Sequence, residues 1–96
     1  MAKKVEWSEA ALKDRLNIYL YWHARNNSDS YSRKLEILFT EAAKLISAFP
    51  KIGQPTNSGV RVKIVSHFRI YYSYSAEAIQ IIRIWDTRQD PEALNF

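Results

Sequence analysis

A chain of 96 residues is enough for one domain, and with 47% hydrophobic and 14% aromatic residues it can build a core, which excludes a disordered linker. It has no cysteine, so disulfides, thiolate catalysis and cysteine-ligated metals are excluded. The net charge of +4 is modest; the first residues hold no apolar signal region and no apolar run approaches the ~20 residues of a membrane span, so a cytoplasmic protein without a membrane partner is expected.

Taken in order, Lys3-Lys4-Val5-Glu6-Trp7 alternates polar and apolar and predicts a short strand with Val5 and Trp7 on one face. Ser8 offers an N-cap hydroxyl, and Glu9 sits in the first turn, where the helix dipole favours a negative charge. The helix that follows runs to about Asn26. It carries two apolar rows, Ala11, Ile18, Trp22 and Leu12, Leu16, Tyr19, both expected to pack on a sheet. Asn26-Asn27-Ser28-Asp29-Ser30 is a turn cluster.

A second helix follows from the spacing of Tyr31, Leu35, Leu38, Ala42, Leu45 and Phe49, with Phe39 and Ile46 widening the stripe. Pro50 stops it, and the loop through Gly53 and Pro55 is rich in breakers. Val60-Arg61-Val62-Lys63-Ile64 predicts a strand with the valines and isoleucine inward and Arg61 and Lys63 outward. Phe68 to Tyr74 and Ile79 to Trp85 are β-branched and aromatic runs joined by Ser75-Ala76-Glu77-Ala78, a strand pair. Alternation puts Phe68, Ile70 and Tyr72 on one face and Arg69 and Tyr71 on the other. On the last strand it groups Ile82 with Ile84, and Ile81 with Arg83 and Trp85. Asp90-Pro91 resembles an N-cap followed by proline at the first helical position. The order β-α-α-β-β-β predicts one α+β domain over residues 1–96, a helical hairpin on one face of a mainly antiparallel sheet.

Charge is unevenly distributed. Between residues 45 and 85 there are five basic residues, Lys51, Arg61, Lys63, Arg69 and Arg83, against the single acid Glu77. Strands so loaded suit a phosphate backbone or an acidic peptide.

Several stretches together resemble the RelE/ParE superfamily, the toxins of bacterial type II toxin–antitoxin pairs. They are Val5-Glu6-Trp7-Ser8-Glu9-Ala10-Ala11, Phe49-Pro50-Lys51-Ile52-Gly53, Val60-Arg61, Phe68-Arg69-Ile70-Tyr71-Tyr72 and Ile81-Ile82-Arg83-Ile84-Trp85-Asp86-Thr87-Arg88-Gln89-Asp90-Pro91. The resemblance implies a cognate antitoxin as partner and either of two activities. RelE-type members cleave messenger RNA in the ribosome, whereas ParE-type members bind DNA gyrase and cleave nothing. For the cleaving branch it implies that Arg61, Arg69 and Arg83 hold phosphate, the role for which a planar, permanently charged guanidinium is suited.

The ribosome and messenger RNA are the expected targets, with gyrase inhibition, or an antitoxin-binding relic that has lost toxicity, as alternatives. Lys63, Tyr71, His67 and Arg88 are the expected RNA-binding residues, Tyr71 by stacking a base. The chain departs from many members of both branches after the last strand, where Trp85-Asp86 stands in place of a histidine or His-Tyr pair. Asp86 then reads as a replacement base or, more simply, as a carboxylate that pins the tail. Two isolated histidines, His23 and His67, make no metal motif, and no cofactor is expected.

Overall fold

A computed structural model describes residues 2–87. Strand β1 (Lys4–Trp7) leads into helices α1 (Glu9–Asn26) and α2 (Ser30–Ala48). Strands β2 (Gln54–Pro55), β3 (Arg61–Val65), β4 (Phe68–Tyr74) and β5 (Ala78–Asp86) follow. The sheet order is β1-β5-β4-β3-β2, with β1 parallel to β5 and every other pair antiparallel. The expected α+β architecture is therefore present, and Lys4–Trp7 closes one edge of the sheet against the last strand. The proposed Asp90-Pro91 helix start lies outside the described residues.

Local chemistry sets the helix boundaries. Ser8 has extended backbone and its hydroxyl accepts from Ala11 N at 3.0 Å, satisfying one of the donors a helix start leaves open. Asn27 ends α1 in the left-handed region (φ 52°), a conformation asparagine tolerates. The buried face of α2 is Leu35, Phe39, Ala42, Ala43 and Ile46, and it packs on Phe68, Ile70, Tyr72, Ile79, Ile81 and Ile84 of the sheet. Phe39 meets Phe68 edge to face at 5.3 Å. Two buried serines bind the neighbouring backbone: Ser32 Oγ donates to Tyr19 O at 2.7 Å, and Ser47 Oγ donates to Lys3 O. Leu45 and Phe49, expected in the stripe, point outward, because the helix ends at Ala48 and its buried face has already turned away from them.

Three expectations about faces fail. Leu12 and Leu16 do not pack on the sheet; only the Ala11, Ile18, Trp22 row joins the core. Strand β3 is inverted. Its register sets Arg61 opposite Tyr72 and Lys63 opposite Ile70, so both cations lie on the helix side, while Val62 and Ile64 share the outer face with Tyr71 and Arg69. Strand β5 breaks its own alternation. The pairing moves from Tyr71↔Arg83 to Tyr72↔Ile81, a β-bulge that leaves Ile82 as the extra residue and brings Ile84, not Ile82, into line with Ile81 in the core.

The breaker loop after α2 is fixed by one buried phenol. Tyr72 Oη donates to Pro50 O at 2.7 Å and accepts from Gly53 N at 2.9 Å. A Cβ at Gly53 would stand 2.7 Å from that oxygen and 2.9 Å from Val62 O, so only glycine lets the loop come this close. Gly53→Ala is expected to destabilise the fold by about 1–3 kcal/mol as an overpacked site. Tyr72→Phe should cost a similar ~1–3 kcal/mol through two unpaired buried groups; urea unfolding of both variants checks this. Burial is the main cause that raises the Tyr72 pKa above its ordinary 10.0, against the opposing Gly53 N–H and Arg61. The folded state thus holds the phenol proton more tightly than the unfolded chain. Its contribution is complete below about pH 10 and is lost as pH rises through the elevated pKa. Wild type should therefore lose stability more steeply above pH 10 than Tyr72→Phe does.

Candidate functional site

The three arginines expected to surround a phosphate are held in three different settings. Arg83 sits at the bulge of β5 and is gripped by Asp14 of α1: Nε donates to Oδ2 at 2.8 Å and Nη2 to Oδ1 at 3.0 Å. The same carboxylate accepts from Ile84 N at 2.9 Å. The hydrogen bonds that Arg83 donates to Asp14 raise its pKa further, with burial opposing them. Side-chain exposure is only 22% for Arg83 and 13% for Asp14, so this is a bidentate, largely desolvated pair and not a solvated strand cation. Arg61 is spent on the breaker loop, where its Nη1 donates to Gly53 O at 2.7 Å and Lys51 O at 3.2 Å. Arg69, half-buried, lies on the outer face opposite Ile64 and Trp85.

The remaining expected RNA contacts are also dispersed. Lys63 is on the helix side of β3. Tyr71, the intended stacking ring, is 8% exposed and buried within the outer face. His67 is exposed in the β3–β4 turn beside Ser66, whose φ is 57°, and its carbonyl accepts from Thr87 N at 2.8 Å. Arg88 lies outside the described residues. By register Arg83, opposite Tyr71, lies with Arg69 on the outer face, whereas Arg61 is on the helix side, so the three arginines do not converge.

What it does bring together is a groove of about 710 Å³ between α1 and the far half of β5. Strand β1 pairs with β5 at Ala78 to Ile81, so among the described residues the edge of β5 beyond it has no neighbouring strand. Helix α1 serves that edge in part: Ser8 N donates to Ile81 O, Ser8 Oγ donates to Ile82 O at 2.7 Å, and Asp14 takes Ile84 N. The groove opens past this point. Its walls are Asn17, Ile18, Tyr21 and Trp22 of α1 and Ile84, Trp85 and Asp86 of β5, with Asp14 and Arg83 at its base. The indole Nε1 of Trp85 is buried with no hydrogen-bond partner among the described residues. Aromatic walls beside a strand edge that is open among the described residues suit a polypeptide. Sequence reading missed Asp14 altogether. Its only signal was an acid on the apolar side of α1, at i−4 from Ile18.

Two helices packed on one face of a five-stranded mixed sheet, with a basic β3–β4 ribbon, define a RelE/ParE-like toxin fold. The sequence profile described as the ParE toxin of the type II toxin–antitoxin system parDE matches residues 5–91, and the chain belongs to that family. Among solved structures it is similar to a chain of the chromosomal ParDE system from P. aeruginosa, with a TM-score of 0.77 and 22% identity over 88% of this chain and 96% of that one. It is also similar to a chain of the E. coli DinJ–YafQ toxin–antitoxin complex, with a TM-score of 0.51 and 17% identity over the whole of both chains. No curated protein sequence matches it. No helix among the described residues is long and apolar enough to cross a membrane.

Removing one partner of the Asp14–Arg83 pair strands the other in a poorly solvated site. Asp14→Ala should destabilise by about 3 kcal/mol, and Arg83→Ala by a similar ~3 kcal/mol. The double variant should cost much less than the sum, a coupling that chemical denaturation of all four proteins measures. Equal, additive losses would show that the pair is not a unit.

Proposed function

We propose that this toxin arrests growth by binding DNA gyrase and not by cutting messenger RNA, and that a cognate antitoxin neutralises it. The observation that carries this reading is the commitment of Arg83 to Asp14. A ribonuclease of this fold needs cations converging on one scissile phosphate and groups placed to move the 2′-hydroxyl proton. Here Arg83 is neutralised by a bidentate carboxylate and Arg61 holds backbone carbonyls on the helix side, which leaves Arg69 alone to face a phosphate on the outer side. The exposed His67 is at the turn and no histidine follows β5. A protein that acts by occupying a target asks none of this of its arginines.

Membership of the ParE toxin family supports the same target, and the toxin–antitoxin systems named for both structural neighbours support the antitoxin as partner. The ribonuclease reading, with Arg61, Arg69 and Arg83 around phosphate, asks Arg83 to release Asp14 on binding RNA, which would forfeit a pair worth several kcal/mol.

The discriminating experiment is in vitro. Purified toxin should inhibit supercoiling by gyrase and leave messenger RNA intact on stalled ribosomes. Arg69→Ala should keep inhibition within about threefold, since a half-exposed side chain away from structural pairs has little to lose. Cleavage of ribosome-bound message with unimpaired supercoiling would sink the proposal. Absence of both activities, with antitoxin binding retained, would instead identify a relic.

A further inference from the structure

The outward face of α1 is apolar without cover. Leu12, Leu16 and Leu20, at i, i+4 and i+8, are 51%, 56% and 52% exposed, although the helix is already packed on its other side against α2 and β5. A helix apolar on two faces has a second partner to find.

The residues on this face are arranged symmetrically about Leu16. Four residues to either side stand Leu12 and Leu20, three to either side Lys13 and Tyr19, and seven to either side Glu9 and His23. Residues seven apart fall within about 20° of each other around a helix, so Glu9, Leu16 and His23 form one line, with the other four flanking it. Laying a second copy of α1 antiparallel, with its two-fold axis through Leu16, sets Leu16 on Leu16. Leu12 then meets Leu20 on both sides of the axis, Lys13 meets the ring of Tyr19, and each Glu9 carboxylate meets the partner's His23. Both helix dipoles oppose, and each N-terminal acid faces a C-terminal imidazole. His23 binds Asp29 through Nδ1, so Nε2 is the nitrogen left for the incoming carboxylate. Glu9 is held only by an exposed ion pair to Lys13 at 3.7 Å, which is weak enough to be shared.

We propose that the antitoxin-free toxin self-associates through this face as a two-fold dimer of antiparallel α1 helices. The flanking charges nearly cancel within one copy, which suits a face built to meet itself better than one built for a strongly acidic or basic partner. An isologous contact requires this self-complementarity. One helix on one helix is at the low end of interface size, under about 1,200 Å² in total, so the dimer should be reversible at micromolar concentrations. The inference does not depend on whether gyrase or the ribosome is the target.

The test is sedimentation velocity of the full chain over a micromolar concentration series. Wild type should show a reversible monomer–dimer equilibrium. Leu16→Glu faces two carboxylates across the axis and should weaken it by about tenfold or more; Glu9→Lys should weaken it less, and Glu9→Lys with His23→Glu should restore it. Because the chain has no cysteine, Leu16→Cys should cross-link on mild oxidation, whereas Lys34→Cys on α2 should not. All four positions are exposed, and unchanged melting temperatures verify folding. A wild-type chain that stays monomeric throughout overturns the proposal, as does a dimer indifferent to Leu16→Glu or a charge swap that fails to restore it. A monomeric wild type whose antitoxin binding is abolished by Leu16→Glu would assign the leucine row to that other protein, and would equally overturn it.

Discussion

The placement of α1 depends on a mismatch in strand length. Strand β1 has four residues and β5 has nine, so the parallel pairing ends midway and β5 continues with one edge unpaired by any strand among the described residues. Unpaired backbone groups beside a packed helix are costly. Here the first turns of α1 supply the missing partners in sequence, with Ser8 for Ile82 O and Asp14 for Ile84 N. Asp14 is then a carboxylate in a poorly solvated position and requires a cation, which the bulge supplies by turning Arg83 toward it. Edge, bulge, arginine and helix are thus one arrangement, and the groove opens beyond the last of these contacts.

Much of this was legible in the sequence, because it rests on local rules. The helix stop at Pro50, the N-cap at Ser8, the turn at Asn26–Ser30 and the strand pair around Ser75 each follow from the conformational preferences of the residues involved. The family pattern around Pro50 and Gly53 was visible as well. Its physical reason was not, because it rests on the Tyr72 hydroxyl nineteen and more residues away along the chain.

The faces were where local reasoning failed. Alternation assigns a side correctly only while the register holds, and one extra residue at Ile82 reversed the phase of the rest of β5. In β3 the apolar residues and the cations are the reverse of the simple expectation. The helix-side residues of β4 and β5 are buried whereas those of the outlying β3 are only partly so, which leaves room there for the stems of Arg61 and Lys63. The loop carbonyls of Lys51 and Gly53 then give Arg61 a reason to stay there. An arginine on a strand therefore says nothing by itself about phosphate: its meaning depends on a carboxylate or carbonyl that only the tertiary fold brings near.

Helix α1 shows the same point in reverse. Its inner surface sets paired charges beside the apolar row of Ala11, Ile18 and Trp22: Asp14 grips Arg83, and Arg15 binds Glu36 while lying 4.5 Å from the Trp7 ring. Its outer surface carries the leucines. On sequence alone the row with Leu12 and Leu16 looked like core, because hydrophobicity is the main guide to which way a helix faces. That guide fails when the inner charges are mutually satisfied, since a paired acid and base can be buried at little net cost while remaining costly to separate. The polar contacts fix where the helix lies on the sheet, and so the leucine row is displayed in one orientation rather than free to roll inward. The three leucines thus stand half exposed along one line of the helix, and the ion pairs beneath hold that line in position.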